Sequence, residues 1–455
     1  MNRIIAIFVF IIFSNSSFSQ DLSGSWIGEL NFGGQTLGIA FNLENNEEGL
    51  LATMDIPQQG LNKAKAQSAT FIDSILTVKF PNFGIEYKGI LTQTNEINGN
   101  LLQSGLTIPL NLSKGNFKLN RPQEPKTPYR YYSENISFKN SVDNITLSGT
   151  LTLPKTKGKF PVAIIISGSG PQNRDGEMFG HKPYLVLADQ LTKNGIGVLR
   201  YDERGVGQSQ GEYDSAGINE FSKDVESAID YLRSRKEIDA SKIGLIGHSL
   251  GGLIASKIAS EDQAIAFVVL LAAPGIDGDK LMLSQKAAIE RAMGFNEFQI
   301  AQAQGIVKEA YDIIRKSDLD NLSLKDSLNS YYVNKYGGFI PESQRKALIN
   351  QIGSHEVTSL IKSTPSEFLE KITCPVLAIN GDKDFQVSAS ENLPAIKTSI
   401  EKNGNMNVKT VTLKSLNHLF QESETGLISE YSEIEQTIAP VAMQLITTWI
   451  SDQVK

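Results

Sequence analysis

Cysteine is almost absent from this 455-residue chain, and its scarcity excludes disulfide bonds within the chain as a source of stability. Cys374 is the single cysteine, so the folded state depends on core packing, which a chain of this length can provide. Cys374 begins an apolar segment and is interpreted as a buried structural thiol. Histidine pairs at metal-binding spacing, the dinucleotide pattern Gly-x-Gly-x-x-Gly after a strand and the phosphate-loop pattern are also missing. The sequence therefore predicts no cofactor and no metal.

Strong charge and long apolar runs are missing as well. The net charge of −7 is mild and no basic stripe occurs, so no nucleic-acid partner is expected. The apolar run at 4–13 is about half as long as the ~20 residues that span a membrane. Because Arg3 precedes the run and small residues follow it, we predict a signal peptide over 1–19, cleaved after Ser19 or Gln20. With no nearby cysteine to carry a lipid, the expected protein is secreted or periplasmic, without stable membrane insertion.

Residues 21–120 predict a small antiparallel β domain. Alternating apolar and polar residues are separated by polar turns, as in the segments 25–30, 37–43, 74–80 and 106–112. About a hundred residues without a helical pattern indicate a barrel or a sandwich. No catalytic combination of residues occurs here, so a packing or substrate-positioning role is favoured over an independent binding activity.

A proline-rich linker at 121–130 marks the domain boundary, and the pattern after it, over 131–455, alternates between strands and helices. Continuous apolar strands between helices predict an α/β fold with a parallel sheet that is covered on both faces. The strands are predicted at 145–153, 161–167, 196–201, 242–247, 264–271, 375–380 and 408–413, and the helices at 184–193, 219–235, 250–260, 388–402 and 435–451.

One helical insertion, about 277–371, interrupts this alternation. Helical patterns occur at 284–293, 296–313 and 343–351, with no strand between them. An insertion between two sheet strands, near their carboxyl ends, is expected to lie over the active site as a lid.

The segment 243–259 has the pattern of a nucleophile elbow, in which a serine occupies a sharp turn between a strand and a helix. Gly-His-Ser-Leu-Gly at 247–251 places Ser249 at that turn, and the two glycines allow close approach of strand and helix. The segment 207–211 also matches Gly-x-Ser-x-Gly, but a polar loop follows it with no helix directly behind. Context therefore favours Ser249 over Ser209 as the nucleophile.

A serine nucleophile needs a general base, and the chain offers four histidines. His248 adjoins Ser249, so its ring should point away from the hydroxyl. His181 lies in a loop and His355 in the predicted lid. His418 follows the last predicted strand, at the carboxyl edge of the sheet, and is the predicted base.

The carboxylate that orients His418 is expected after the strand 375–380. Gly381 marks a tight turn there, and both Asp382 and Asp384 follow it. Asp384 is favoured, whereas Asp382 is expected to hold the turn. The order serine, aspartate, histidine is that of the α/β hydrolases.

An oxyanion hole needs two N–H donors. The backbone of Leu250, next to the nucleophile, is predicted to supply one. The loop after the strand 161–167 reads Ser-Gly-Ser-Gly-Pro, and its small residues allow close approach to a carbonyl group. Ser169 is the favoured second donor, with Gly170 next.

Five motifs in order make the chain resemble the α/β-hydrolase serine esterases, and especially bacterial carboxylesterases related to serine aminopeptidases and prolyl oligopeptidases. The motifs lie at 167–175, 201–209, 247–252, 381–387 and 417–420. The resemblance covers about 132–455 and implies triad roles for Ser249, Asp384 and His418. It also implies that 202–209 is a strand-end turn, which accounts for Ser209. One departure is Ser167-Gly168, where many relatives have His-Gly.

The expected function is the hydrolysis of small-molecule carboxylic esters through an acyl-enzyme. An aminopeptidase, another amide hydrolase or a thioester hydrolase with the same triad is the alternative. An aminopeptidase would need a lid carboxylate, for example Glu356, to hold a substrate amine. A non-catalytic glycan- or lipid-binding protein is a third interpretation, which the intact serine, aspartate and histidine set disfavours.

Overall fold

The computed structural model describes residues 22–32, 35–46, 49–59, 61–93, 95–103, 105–116 and 120–455. The predicted signal peptide therefore lies outside the described residues. The chain divides into two units, Met1–Lys118 and Leu119–Lys455. No helix in the described part is both long and apolar enough to cross a membrane.

Antiparallel strands make up the first unit, as their alternating pattern predicts. The described strands are β1 Gly24–Phe32, β2 Gln35–Asn46, β3 Gly49–Ile56, β4 Leu61–Lys65, β5 Ser68–Ile72, β6 Ile75–Phe80, β7 Ile85–Gln93, β8 Glu96–Gln103, β9 Leu106–Pro109 and β10 Leu112–Lys114. Their order is β4-β3-β2-β1-β10-β8-β7-β6-β5, and β9 pairs with β8.

The sheet of the first unit curls into a barrel, because the two strands at the ends of its order are consecutive in the chain. Only Ala66 and Gln67 separate β4 from β5. The Ala66 N–H donates to the Ala52 carbonyl at 2.9 Å, and the Gln67 N–H donates to the Lys79 carbonyl at 2.9 Å. One continuous segment thus pairs with β3 on one side and β6 on the other, which decides between barrel and sandwich in favour of the barrel.

The predicted strand 106–112 is divided in the structure, because its pairing with β8 becomes irregular between β9 and β10. The Leu110 N–H still donates to the Gly99 carbonyl of β8 at 2.9 Å, but the Gly99 N–H donates to the Asn111 side chain at 3.3 Å instead of to the Leu110 carbonyl.

Large apolar side chains fill the barrel. Trp26 and Phe41 have no exposed surface, and Phe41 stacks on Phe80 with ring centroids 5.8 Å apart. The Trp26 indole N–H donates to the Leu22 carbonyl at 2.8 Å, which satisfies its one polar group. The interior of the first unit is therefore a packed core.

An eight-stranded sheet is the framework of residues 120–455. Its order is β11-β12-β14-β13-β15-β16-β17-β18; β12 is antiparallel to both of its neighbours, β11 and β14, and all other neighbouring strands are parallel. The strands are β11 Tyr132–Asn140, β12 Ile145–Leu153, β13 Phe160–Ile166, β14 Gly197–Tyr201, β15 Ile238–His248, β16 Val268–Leu271, β17 Val376–Gly381 and β18 Val408–Leu413. This arrangement confirms the predicted α/β-hydrolase class; β11 was not among the predicted strands.

Helices cover both faces of this sheet, as the continuous apolar strands require. Neighbouring residues of β13 face opposite sides of the sheet. Ile164 packs in the core covered by α2 Ile218–Ser234, α3 Leu250–Glu261 and α10 Ala389–Lys402. Ile165 packs in the core covered by α1 Pro183–Lys193 and α11 Pro440–Gln453. The predicted helix 435–451 starts too early, since Pro440 stands in its first turn and proline disfavours helical backbone in the residue before it.

A helical insertion follows β16, as predicted, and has a hydrophobic core of its own around Tyr311, Leu328 and Tyr332. Its helices are α4 Gly278–Ala292, α5 Glu297–Lys316, α6 Asn321–Tyr336, α7 Glu342–Ile352, α8 His355–Lys362 and α9 Ser366–Leu369. Within the predicted insertion, α6, α8 and α9 were not predicted as separate helices.

The stability of the β unit should depend strongly on Trp26. We expect Trp26→Ala to lower the free energy of unfolding of this unit by about 3–5 kcal/mol, because it empties a fully buried site. Urea unfolding followed by far-UV circular dichroism measures the change, with Lys88→Ala at an exposed position of β7 as the control. A loss below about 1 kcal/mol would show that the barrel core is not organised around this indole.

Candidate active site

Ser249 lies on a strained turn between β15 and α3. Its backbone has φ 52° and ψ −121°, a conformation that residues other than glycine rarely adopt. The Ser249 N–H donates to the Leu271 carbonyl of β16 at 2.8 Å, and the Gly252 N–H donates to the Ser249 carbonyl at 2.9 Å. These two bonds hold the turn, and the partly exposed Ser249 hydroxyl donates to no protein acceptor within residues 120–455.

The turn requires both glycines that the sequence pattern singles out. A Cβ on Gly247 would lie 2.2 Å from the Gly251 carbonyl oxygen, inside any permitted contact distance. A Cβ on Gly251 would lie 2.3 Å from the Ile166 carbonyl oxygen at the end of β13. Strand, turn and helix therefore meet through backbone atoms alone.

Asp384 and His418 form a buried pair on the loops after β17 and β18. His418 Nδ1 donates to Asp384 Oδ2 at 2.8 Å, and the two side chains are 5% and 0% exposed. The other oxygen, Asp384 Oδ1, accepts from the backbone N–H groups of Gln386 and Val387 at 2.8 and 2.9 Å. Three hydrogen bonds thus fix a carboxylate that faces a histidine.

Asp382, the other predicted candidate, faces away from this pair. Its Oδ1 accepts from the Ser415 N–H at 2.6 Å, so it joins the turn after β17 to the chain after β18. The two aspartates are two residues apart, and only Asp384 hydrogen-bonds to His418.

His248 is buried beside His418 and links it to a neighbouring loop. Its Nε2 donates to the His418 carbonyl at 3.0 Å, so Nδ1 is the unprotonated nitrogen and faces the Tyr184 hydroxyl at 3.4 Å. Burial, followed by the effect of His418, lowers the pKa of His248 to about 3, so the ring stays neutral. The same Tyr184 hydroxyl accepts from the Gly168 N–H at 3.3 Å. Neither Tyr184 nor this chain of hydrogen bonds was predicted, because the sequence pattern of α1 shows only that Tyr184 is helical.

His181 is part of the packing behind His418. It is buried, and its ring nitrogens contact Thr437 and Gln421 at 2.9 Å. Burial lowers the pKa of His181 to about 4. Gln421 is bound in turn to Asn417, so this polar group supports the turn that carries His418.

The loop 167–172, which follows β13, lies against Ser249. A Cβ on Gly168 would be 3.2 Å from the Ser249 Cβ and 3.2 Å from the His248 carbonyl oxygen. The Gly170 N–H, the second choice for an oxyanion donor, is bound to Glu356 Oε2 at 3.2 Å. The Ser169 N–H has no protein acceptor within residues 120–455, and neither has the Leu250 N–H, which opens the first turn of α3. The N–H groups of Ser169 and Leu250, the two predicted oxyanion donors, are therefore not bound by another part of residues 120–455.

Ser209, the competing serine, has an engaged hydroxyl. Its Oγ donates to the Asp202 carbonyl at 2.6 Å and accepts from the Ser148 N–H at 2.9 Å. These bonds close the turn after β14.

Two carboxyl groups lie beside the 167–172 loop. Glu203 is buried and its Oε2 accepts from the Gln172 N–H at 2.8 Å. Burial, followed by the charges of Glu356 and Asp224, raises the pKa of Glu203 well above its usual range. Glu356, on α8, accepts from the Tyr213 hydroxyl as well as from Gly170. Sequence reasoning missed Glu203, which no pattern distinguishes from its charged neighbours. Among the described residues, no group of His, Cys, Asp and Glu is arranged to hold a metal ion.

The raised pKa of Glu203 should make stability depend on pH. Below pH 4.5 the group is protonated in both states, and above it the unfolded chain releases a proton that the folded protein still holds. The free energy of unfolding should then fall by up to about 1.4 kcal/mol per pH unit, relative to Glu203→Gln, until the raised pKa is reached. Urea unfolding between pH 4 and 9 tests this. The exposed control Glu212→Gln should follow the wild type, and parallel curves for Glu203→Gln and wild type would contradict the prediction.

Comparison with known proteins places this geometry in a family. A family model described as serine aminopeptidase, S33, matches residues 181–421. Esterase EstD of Thermotoga maritima is 26% identical over 305 residues, which span 66% of this chain and 65% of the esterase, so just under two thirds of that relative is covered. An uncharacterized 31.7 kDa protein of Escherichia coli is 27% identical over 239 residues, or 52% of this chain and 76% of the relative.

Among solved structures, the Pyrococcus furiosus esterase Pf2001 is 16% identical, with a TM-score of 0.44 over 74% of this chain and 98% of that chain. The family model covers more than half of the sequence, from His181 through Ser249 and Asp384 to Gln421. The chain therefore belongs to the serine aminopeptidase S33 family of α/β hydrolases.

Proposed function

We propose that this protein is a serine hydrolase that cleaves carboxylic esters of small molecules through an acyl-enzyme. The observation that carries the proposal is the buried 2.8 Å hydrogen bond between Asp384 and His418, on loops at the same sheet edge as the strained Ser249 turn. A base held by a carboxylate is what a serine hydroxyl needs to become a nucleophile.

In the proposed reaction, Ser249 Oγ attacks the ester carbonyl and its proton passes to His418 Nε2. Asp384 holds the opposite ring nitrogen and stabilises the imidazolium that forms. The N–H groups of Leu250 and Ser169 bind the oxyanion. His418 then protonates the departing alcohol, leaving an acyl group on Ser249. Water, deprotonated by His418, attacks this acyl group, and the acid leaves as Ser249 regains its proton.

Ester substrates are supported by the name of one relative, Esterase EstD, whose match includes about two thirds of this chain. The family description favours an aminopeptidase as the second candidate. One local observation favours it too, since Glu356 and Glu203 place two carboxyl groups beside the 167–172 loop. However, Glu356 already accepts two hydrogen bonds, and the raised pKa of Glu203 favours its neutral form. Both groups are therefore poorly prepared to bind an ammonium group, and esters remain the proposed substrates.

Replacement of Ser249 should abolish turnover. We expect Ser249→Ala to lower kcat on short p-nitrophenyl esters by at least about a thousandfold with little change in the folded fraction, because the substitution removes the proposed nucleophile from a partly exposed position. An organophosphonate should label Ser249 stoichiometrically. Ser209→Ala, a control from the second motif, should keep turnover in its folded fraction. Labelling of another serine would overturn the mechanism, and faster turnover of amino-acid anilides or thioesters than of esters would favour those alternative substrates.

We further propose that the mature protein is secreted or periplasmic. The support is sequence alone: Arg3, the apolar run 4–13 and the small residues after it. Expression of the full chain in a Gram-negative host should yield a periplasmic protein whose N-terminus, determined by mass spectrometry, is Gln20 or Asp21. Cytoplasmic protein that retains Met1 or Asn2 would contradict this.

A further inference from the structure

Side chains bind three of the backbone N–H groups of the 167–172 loop. The Gly168 N–H donates to the Tyr184 hydroxyl, the Gly170 N–H to Glu356 Oε2 and the Gln172 N–H to Glu203 Oε2. Residue 171 is proline and has no N–H. Between Gly168 and Gln172, this leaves the Ser169 N–H as the one donor without a protein acceptor.

The three side chains that hold the loop come from different parts of the fold. Tyr184 lies on α1 and Glu203 is the second residue after β14, so both are anchored on the central sheet and its covering helices. Glu356 lies on α8, within the helical insertion between β16 and β17. It is therefore the acceptor through which the insertion contacts the donor loop.

Glu356 is well suited to hold this loop. One of its oxygens accepts both the Gly170 N–H and the Tyr213 hydroxyl. Tyr213 belongs to the segment between β14 and α2, so the carboxylate joins three separate segments. Gly170 has φ 88°, a conformation open to glycine, and this backbone turn directly follows Ser169.

We propose that Glu356 is a positioning residue, which holds Gly170 so that the adjacent Ser169 N–H faces the oxyanion. The insertion then completes the oxyanion hole only when α8 is seated against the loop. This inference rests on the proposed function, and it assigns Glu356 a role in the ester reaction in place of amine recognition.

The test is the full-length Glu356→Ala protein with short p-nitrophenyl esters. Loss of a complete oxyanion donor costs about a hundredfold to a thousandfold in kcat, so misalignment of one donor should cost about tenfold to a hundredfold, with KM within about twofold. The inhibition constant of a trifluoromethyl ketone, which forms an oxyanion on the nucleophile, should rise by the same factor as kcat falls. If Glu356 only held the loop for stability, kcat and the inhibition constant of the ketone would not change by the same factor.

Two conservative variants keep the test decisive if Glu356→Ala folds poorly. Glu356→Gln retains an oxygen that accepts both hydrogen bonds, and should restore kcat and ketone affinity to within about threefold of wild type. Glu356→Asp keeps the charge but withdraws the carboxylate by one methylene group, and should lose as much as Glu356→Ala. The matched control is Glu342→Ala on α7, whose side chain is 65% exposed and which should behave as wild type.

The outcomes separate this inference from the proposed function. If wild-type protein hydrolyses no ester and Ser249 takes no phosphonate, the proposed function fails and the inference fails with it. If wild type is active while folded Glu356→Ala keeps its kcat and its ketone affinity, the inference alone is overturned. Loss of aminoacyl substrates but not of simple esters in Glu356→Gln would also overturn it, because that pattern indicates an amine-binding carboxylate.

Discussion

The contact between the Ser249 turn and the end of β13 is the constraint on which the site depends. Because Gly251 has no Cβ, the first turn of α3 lies directly against the carbonyl groups of Ile166 and Ser167. This approach brings the Leu250 N–H and the 167–172 loop to the same serine. The cost is the unusual backbone of Ser249, on the order of 1–3 kcal/mol, which the hydrogen bond to Leu271 helps to hold.

Around that contact, side chains rather than regular backbone pairing hold the loops in place. Tyr184 and His248 connect the 167–172 loop to the His418 carbonyl, and both stay uncharged because burial raises the pKa of Tyr184 and lowers that of His248. Neutral groups suit such positions, since an unpaired charge would be costly there. Hydrogen bonds in these surroundings are also stronger than in water, which favours one arrangement of the site.

Much of the fold could be predicted because its signals are local. Continuous apolar runs on strands such as β13 predicted a sheet covered on both faces, and the strand-to-helix pattern predicted the turn at Ser249. The elements that were predicted wrongly or not at all have physical reasons. The eight residues of α8 are too few for a clear helical period, so no separate helix was predicted for the segment that carries Glu356 within the insertion. The break between β9 and β10 follows from a hydrogen bond to the Asn111 side chain, and the late start of α11 follows from the steric effect of Pro440; the apolar pattern shows neither.

The order of residues along the chain was enough to find the reacting groups: one serine at a strand-to-helix turn, aspartates after a later strand and a histidine after the last. These signals can be read from the sequence because steric rules and periodicity act between residues that are close together in the chain. The packing of distant segments is needed to show which aspartate hydrogen-bonds to His418, which acids lie beside the 167–172 loop, and that the Ser169 N–H has no protein acceptor. Those choices depend on hydrogen bonds between segments as far apart as Gly170 and Glu356, whose formation follows from how the sheet and the insertion pack.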